Sequence, residues 1–501
     1  MTQLFPRTSL GLVLLSAVAA LPACGDDSES PDPGTTTTTT TTTTTGEGGA
    51  GGAGGAGGGG AADFPAPVVA GTPDTDALAN APARCGQPAH AWRKDLDFGR
   101  ISAHEAQSSY TKAVLQALLG AVVGDLPLEL KYDVDVHLVT YLTQDRGEGI
   151  DATTLIAWPT NVPADAEALP TLVVLHGTTG FTDGCGSSAD STWGALSAAF
   201  ASAGFVVVSP DYIGLKATPP ETGFLHPYLV GQATAIASLD AVRVLRGLPE
   251  EIRKGGARPS PRVVVLGGSQ GGHAALWVDR LAPYYARELE LVGVAATVPP
   301  ADMVGQATLA LTTLRPSTDN IMAFYGASAG WYGAAGDLGQ VLVPPLDQDV
   351  PAALGASCDP GGLVGGAASL DEIFQPEVLD AVAAGTYADV APWGCMGVEN
   401  GLTTTSIGRI QRDAASYGIL FVTGEADTLV DTPTERASFE ALCNAGTPAQ
   451  YLECAGASHT EATTWALPEI VTFLQARLAG EAFAPTCQAG APGTCAGTPP
   501  P

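Results

Sequence analysis

A serine flanked by glycines stands out in the stretch VVVLGGSQGGHAAL, residues 263–276. The pentapeptide GGSQG at residues 267–271 matches the pattern G-x-S-x-G, with β-forming residues before it and a helix-length stretch after it. In this pattern a strand turns sharply into a helix, and glycines leave room for a strained turn that exposes the serine. The pattern predicts that Ser269 is a nucleophile. A tight turn without chemistry is the alternative.

A serine hydroxyl is a weak nucleophile at neutral pH, so a base must take its proton and an acid must orient that base. Two histidines follow Ser269 in the chain. His273 falls four residues along the helix that the serine starts, which favours a packing or pocket-lining role. His459, in CAGASHTEAT after the last predicted strand, lies on a loop at the expected edge of the sheet. We therefore predict His459 as the base.

The acid is expected in FVTGEADTLVDT, which follows the penultimate predicted strand and offers Glu425, Asp427 and Asp431. Asp427 lies one turn past the strand end, where a short side chain can reach the Nδ1 atom of His459. Glu425 is nearer the strand, and Asp431 begins the next segment. Asp427 is therefore the predicted acid, and the chain order serine, acid, histidine is one that known triads use.

The charge that develops on a substrate oxygen needs backbone N–H donors in such a site. One donor comes from the residue after the nucleophile, which is Gln270, and the other from the loop after the third strand. That loop lies in VVLHGTTGF, where Gly177 and Thr178 form the turn and Thr178 is the expected donor. His176 is expected to brace this loop through hydrogen bonds.

Apolar runs alternate with helix-length amphipathic stretches from about residue 80 onward. Several runs are continuously apolar, as strands covered by helices on both faces must be. The pattern predicts an α/β fold with a mostly parallel eight-stranded sheet and helices on both faces. The predicted strands are VDVHLVTYL, ATTLIAW, TLVVLH, FVVVSP, RVVVLG, LVGVAATV, YGILFVTG and AQYLEC. The predicted helices cover residues 190–203, 230–247, 270–286, 434–445 and 463–479.

A long insertion separates the last two strands from the others. Residues 300–412 are rich in Gly, Ala and Pro and too numerous for a loop, so we expect a cap over the carboxyl edge of the sheet. A second structural layer without a role in binding is the alternative. The core then comprises residues 80–299 and 413–482, and residues 483–501 form a C-terminal tail with a cysteine pair.

The N-terminus has the pattern of a processing signal, with Arg7, the apolar run LGLVLLSAVAAL and then LPAC ending at Cys24. Residues 1–24 are predicted to be a signal peptide with a lipobox whose Cys24 is lipidated, and ordinary signal-peptide cleavage nearby is the alternative. Residues 25–79 contain a threonine run and a glycine-rich run, and too few apolar side chains to form a core. We expect a disordered tether there. The protein would then be a bacterial cell-envelope lipoprotein or a secreted protein.

The charge balance excludes one class of partner. The chain has 22 basic and 52 acidic residues, a net charge of −30, so no basic stripe is available to neutralise phosphates. Nucleic acid is therefore not an expected partner. The sequence also has no Walker loop, dinucleotide fingerprint or metal-ligand spacing, so we expect neither a cofactor nor a metal.

Eight cysteines remain when Cys24 is set aside, and an even number in an exported protein predicts disulfides. Short spacings favour local bridges near the C-terminus, and the other four cysteines are then left to pair with one another. The predicted pairs are Cys443–Cys454, Cys487–Cys495, Cys85–Cys185 and Cys358–Cys395.

Several longer stretches carry a resemblance to a known family. They are PDYIGL, HPYLVGQATAIASLDAVRVLR, the GGSQGG turn, GEADTLVDT followed by FEALCNAGTPAQYLECAGASH, and the large insertion before the acid. Residues from about 100 to 480 resemble the α/β-hydrolase fold and, within it, the secretory lipase family typified by fungal lipase A enzymes. The resemblance implies an ester hydrolase acting on lipid or other hydrophobic esters through an acyl-enzyme on Ser269. The loop HGTTG is closer to that of general esterases than to the family's commonest oxyanion loop.

The expected partner is therefore a small ester or lipid substrate, with membrane attachment through an N-terminal lipid. A serine peptidase of the dipeptidyl or acyl-peptidase type is the first alternative, because a triad does not distinguish esters from amides. A tethered surface binding protein without turnover is the second. The insertion carries few charges, which favours apolar acyl groups over peptide termini.

Overall fold

The computed structural model describes residues 64–69, 85, 92–122, 127–412 and 415–499. The predicted signal peptide, the lipidation site at Cys24 and most of the predicted tether lie outside these residues. Within the described ranges, no helix has the length and apolar character needed to cross a membrane.

Strands and helices alternate along most of the described chain. The strands are β1 (Ile101–Tyr110), β2 (Asp133–Asp145), β3 (Glu148–Thr160), β4 (Leu169–Leu175), β5 (Val206–Pro210), β6 (Pro259–Gly268), β7 (Glu290–Thr297), β8 (Gly418–Gly424) and β9 (Ala449–Cys454). The α-helices are α1 (Lys112–Val122), α2 (Ser191–Ser202), α3 (Gly231–Arg243), α4 (Gln270–Tyr285), α5 (Met303–Ala310), α6 (Ser317–Ser328), α7 (Leu346–Ala356), α8 (Pro376–Ala383), α9 (Trp393–Asn400), α10 (Thr432–Asn444), α11 (His459–Trp465) and α12 (Leu467–Leu478).

The strands of the described chain form one nine-stranded sheet in the order β1-β2-β3-β5-β4-β6-β7-β8-β9. The strands from β5 to β9 in that order pair in parallel, and β1, β2 and β3 are antiparallel additions at one side. All eight predicted strands are present, and the mostly parallel sheet is confirmed. The strand number was wrong by one because β1, ISAHEAQSSY, is largely exposed and polar and so has no apolar pattern to recognise.

Helices cover both faces of the sheet, as predicted. The central strands are apolar along their length because neither face meets water, and β5 and β8 are buried at every residue. One buried cluster joins the sheet to α3, α4 and the insertion. The other joins the opposite face to α2, α11 and α12. The strands and helices next to the predicted site residues therefore pack against one of these two buried clusters.

The described residues between β7 and β8 include helices α5 to α9 and short 3-10 turns. Asn400, at the end of α9, accepts a hydrogen bond from Gly231 N at the start of α3, at 3.0 Å. Further along, Arg409 and Arg412 form ion pairs with the buried carboxylate of Asp279 on α4. These contacts attach the insertion to α3 and α4, which pack against each other, and α4 also packs on β6, the strand that precedes Ser269.

Four disulfides link the described cysteines, but none of the predicted pairings is present. The bonds are Cys85–Cys395, Cys185–Cys358, Cys443–Cys487 and Cys454–Cys495. Pairing by sequence proximity failed because each bond joins segments that the fold, not the spacing, brings together. Two bonds attach the insertion to segments before it, and two attach the C-terminal tail to α10 and β9.

Candidate active site

Ser269 lies in the turn between β6 and α4, with φ 57° and ψ −120°. A positive φ is uncommon for a residue with a side chain and is found where the surrounding structure enforces it. Here Ser269 N donates a hydrogen bond to Thr297 O at 2.9 Å, and His273 N donates to Ser269 O at 3.0 Å. The turn is thus held from β7 on one side and from the first turn of α4 on the other.

Two glycines of the turn are required by close packing. A Cβ atom on Gly267 would collide with the carbonyl of Gly271, and one on Gly271 would collide with the carbonyl of Leu175 at the end of β4. The strand and the helix can therefore approach each other only without side chains at these positions. This explains physically why the serine is surrounded by glycines in the sequence.

His459 and Asp427 meet at the same edge of the sheet. The Nδ1 atom of His459 lies 2.7 Å from the Oδ2 atom of Asp427, whose side chain is 1% exposed. The other carboxylate oxygen accepts hydrogen bonds from Leu429 N at 2.8 Å and Val430 N at 3.0 Å. The Nε2 atom of His459 is buried and has no hydrogen-bond partner among the described residues. The imidazole is therefore oriented on one side and available on the other.

The two other acid candidates form hydrogen bonds with other groups and not with His459. Glu425 accepts a hydrogen bond from Gly456 N at 2.8 Å. Asp431 caps α10 by accepting a hydrogen bond from Thr434 N at 3.1 Å. Of the three candidates, Asp427 is the one that the structure brings to the histidine.

The loop after β4 lies directly against the nucleophile. A Cβ atom on Gly177 would be 3.4 Å from Gly268 O and 3.6 Å from Ser269 Cβ. Next to it, the Oγ1 atom of Thr178 lies 2.9 Å from the hydroxyl of Tyr228. Gln270 is the first residue of α4, so its backbone N–H has no partner within the helix. Both predicted donor segments therefore border Ser269.

His176 contacts its own loop and not the nucleophile. Its Nδ1 atom lies 2.6 Å from Gly177 O, and its ring stacks on Tyr212 at a centroid distance of 4.3 Å. The hydroxyl of Tyr212 donates to His176 O at 3.0 Å. Complete burial lowers the pKa of His176 to about 4, so the ring is neutral at pH 7. These are the contacts of a residue that braces the loop.

His273 has a packing role in the structure. Its Nε2 atom lies 2.8 Å from Asn400 O, and its ring packs beside Trp277. Burial lowers the pKa of His273 to about 4. His273 thus connects α4 to the end of the insertion, and it is neutral in the folded protein.

The sequence did not predict a role for His226, which contacts the side chain of Gln270, the residue after the nucleophile. The Nε2 atoms of His226 and Gln270 lie 2.5 Å apart, and His226 Nδ1 lies 2.9 Å from Ile213 O. Because Nδ1–H donates to that carbonyl, Nε2 is the acceptor for the Gln270 amide. Burial lowers the pKa of His226 to about 3, which keeps the ring in this neutral form. The stretch HPYLV carried no chemical pattern from which this contact could be derived.

A threonine pair was missed as well. The Oγ1 atoms of Thr297, at the end of β7, and Thr463, one turn after His459 on α11, lie 2.6 Å apart. A Cβ atom on Gly268 would be 3.0 Å from Thr297 Oγ1 and 3.4 Å from Thr463 Oγ1. The helix that begins with His459 is therefore joined to the strand end that supports Ser269. Threonines are common at such positions, so the sequence gives no signal for this pair.

In the described part of the chain, no group of three or more His, Cys, Asp or Glu side chains is arranged to hold a metal ion. The arrangement at the sheet edge consists of a half-buried serine in a strained turn, an imidazole oriented by a carboxylate, and two backbone donor segments. Such groups can transfer an acyl group by nucleophilic attack.

Comparisons with known proteins identify the fold and a family match for part of the chain. Residues 194–312 match the family model described as secretory lipase. Lipase A of Moesziomyces aphidis is 35% identical over 91 residues, an alignment that covers 18% of this chain and 16% of that protein.

Solved structures match over most of the chain. The rice cell wall degrading esterase LipA from Xanthomonas oryzae has a TM-score of 0.59 and 21% identity, covering 76% of this chain and 97% of that one. Candida antarctica lipase A in its closed state has a TM-score of 0.57 and 15% identity, covering 85% of this chain and 91% of that one. The chain therefore has the α/β-hydrolase fold of these lipases and esterases, and part of its core matches the secretory lipase family model.

Proposed function

We propose that this protein is an exported carboxylic ester hydrolase, a lipase or esterase, that works through an acyl-enzyme on Ser269. The observation that carries the proposal is the strained turn of Ser269 at the sheet edge where His459 contacts Asp427. The match of residues 194–312 to the secretory lipase model supports the same activity. Strain at a residue with a side chain is otherwise costly, which favours a functional reason for it.

In the proposed reaction, Ser269 Oγ attacks the ester carbonyl carbon while His459 Nε2 takes the hydroxyl proton. Asp427 holds the imidazole through Nδ1 and stabilises the imidazolium that forms. The oxyanion accepts hydrogen bonds from the backbone N–H groups of Gln270 and Thr178, each worth on the order of a hundredfold in rate. His459 then gives its proton to the leaving alcohol. Water, activated by His459, releases the carboxylic acid and restores the free serine.

The composition of the insertion favours a substrate that is recognised mainly through an apolar acyl group. Buried aromatic side chains are packed together within it, among them Tyr325, Phe374 and Trp393. The residues that follow β7 also contain few charges. We therefore propose that the insertion acts as a cap over the carboxyl edge of the sheet and favours hydrophobic esters over peptides.

Export is part of the proposal. Disulfides persist in oxidising compartments, and all eight cysteines of the described chain are paired in four bonds. The signal-like run before Cys24 agrees with export. Lipidation of Cys24, with attachment to a bacterial cell envelope, remains a prediction from the sequence, and the glycine-rich segment after it would be the tether.

The test is hydrolysis of p-nitrophenyl esters of increasing chain length by the protein from residue 63 onward, beside a peptide anilide. We expect turnover of the esters, little of the anilide, and loss of ester turnover in Ser269→Ala. Activity that persists with long acyl chains would indicate a lipase, and activity on short chains alone a general esterase. Cleavage of the anilide in preference to the esters would favour the peptidase. Binding of esters without turnover would favour the non-catalytic alternative.

A further inference from the structure

The C-terminal tail returns to the segment that carries His459. Residues 493–498 form a segment that we call the strap, and its first residue, Gly493, pairs with the end of β9. Gly493 N donates to Glu453 O at 2.9 Å, and Ala455 N donates to Gly493 O at 2.8 Å. The strap therefore forms backbone hydrogen bonds with the residues on both sides of Cys454, where β9 ends and the loop to His459 begins.

A disulfide reinforces this contact. Cys495 of the strap is bonded to Cys454, which lies five residues before His459, and both cysteines are buried. The sulfur of Cys454 also lies 3.9 Å from Ala462 O, on the helix α11 that begins with His459. The bond thus packs under the helix that presents the imidazole.

The other end of the strap meets the end of the same helix. Gly497 N donates to Trp465 O at 2.8 Å, and a Cβ atom on Gly497 would be 2.7 Å from that oxygen. Ala496 N donates to the carboxylate of Glu469 at 2.7 Å. The helix α11 has seven residues, too few for stability in isolation, and its last carbonyls lack partners within the helix. The strap supplies one of the missing donors.

We propose that the strap is a positioning element for hydrolysis, which holds the loop after β9 and α11 so that His459 stays aligned with Ser269. This inference rests on the proposed function. A displacement of about 1 Å at a catalytic group can reduce the rate on the order of a hundredfold, so release of the strap should affect turnover more than substrate binding. Reduction of Cys454–Cys495 should then slow the enzyme.

A second disulfide of the tail serves as a control for the possibility that Cys454–Cys495 only stabilises the fold. Cys443–Cys487 also ties the tail to the core, but it attaches to α10. The two bonds close loops of similar length, with sequence separations of 44 and 41 residues, so their removal should destabilise the protein to a similar degree. Only one of them holds the helix of His459.

The first experiment compares C454A/C495A with C443A/C487A. We expect both variants to melt at similarly lowered temperatures, below which both are folded by circular dichroism. At a temperature where both variants are folded, we expect C454A/C495A to have a kcat for p-nitrophenyl butyrate about tenfold below that of the parent, with KM within about twofold. We expect C443A/C487A to keep its kcat within about twofold of the parent. Equal kcat values in the two folded variants would overturn the proposal.

A second pair of variants leaves every disulfide intact. Gly497→Ala places a methyl group against Trp465 O, whereas Gly490→Ala, in the same tail, meets no atom within 4 Å among the described residues. We expect a lower kcat at unchanged KM in the first and parental kinetics in the second. Parental kcat in Gly497→Ala, with the added methyl tolerated, would contradict the strap's role. Full ester turnover in Ser269→Ala would instead refute the proposed function itself.

Discussion

At the level of single residues, two nearby carboxylates differ in what they contact. Asp427 contacts the imidazole, whereas Asp431 caps α10. Asp427→Asn keeps the size of the side chain but removes its charge, and it should lower kcat about 10³- to 10⁴-fold with little change in melting temperature. Asp431→Asn retains a good helix cap and should stay within a few-fold of the parent. Comparable losses in the two variants, measured with one p-nitrophenyl ester, would contradict the assignment.

A second carboxylate gives the protein a pH-dependent stability. Glu435 is fully buried, where it accepts hydrogen bonds from Ala301 N at 3.0 Å and from the Gln306 amide at 2.9 Å. Burial raises the pKa of Glu435 from 4.5 to about 8. Between pH 4.5 and about 8, Glu435 carries a proton in the folded protein but not in the unfolded chain. The contribution of Glu435 to the free energy of unfolding therefore declines as the pH rises through about 8.

The Glu435→Gln variant tests this linkage because its amide cannot ionise. Urea unfolding of the variant and the parent should be compared at pH 5.5, 7.0 and 8.5. We expect the free energy of unfolding of the variant to rise relative to that of the parent as the pH increases, by about 1–4 kcal/mol over the range. A difference that stays constant with pH would mean that Glu435 does not carry a raised pKa.

At the element scale, the turn of Ser269 requires close contact between a strand and a helix. Gly271→Ala would place a methyl group against Leu175 O, and overpacking of this kind typically costs about 1–3 kcal/mol. Gly247→Ala is a suitable control because a Cβ atom there meets nothing within 4 Å in the described chain. Urea unfolding should show a lower free energy of unfolding only in Gly271→Ala, and an ester assay should show a loss of activity only in that variant. A fully stable and active Gly271→Ala variant would show that the close contact is not required.

The elements with strong local patterns could be predicted from the sequence. The apolar strands, the GGSQG turn and the acid and histidine after the last two strands all have signals within a few residues. Contacts between distant segments had no such signal, and His226 beside Gln270 and Thr463 beside Thr297 are examples. The edge strand β1 was missed for a related reason, because it buries little and its composition is polar. The catalytic roles themselves stay predictions.

Across the whole molecule, the disulfides join the insertion to segments that precede it and the C-terminal tail to α10 and β9. Cys85–Cys395 and Cys185–Cys358 attach the insertion across separations of 310 and 173 residues. Their pairing could not be derived from spacing, since it depends on how the finished fold brings the segments together.

Removal of the disulfides should destabilise the molecule as a whole. Each bond that is lost should cost about 2–4 kcal/mol because the reduced unfolded chain gains freedom. Thermal melting with and without a reductant is the measurement, and we expect a clearly lower melting temperature after reduction. A melting temperature that reductant leaves unchanged, with free thiols shown by titration, would contradict this role.

We propose Ser269 as the nucleophile of an ester hydrolase. The most direct measurement is reaction of the protein with a p-nitrophenyl phosphonate ester, followed by mass spectrometry of its peptides. We expect one phosphonate per chain, on the peptide that contains Ser269. Ester hydrolysis should be lost in proportion to the labelling, and the Ser269→Ala variant should form no adduct. An adduct on another residue that abolishes activity, or full hydrolysis after labelling of Ser269, would rule out Ser269 as the nucleophile.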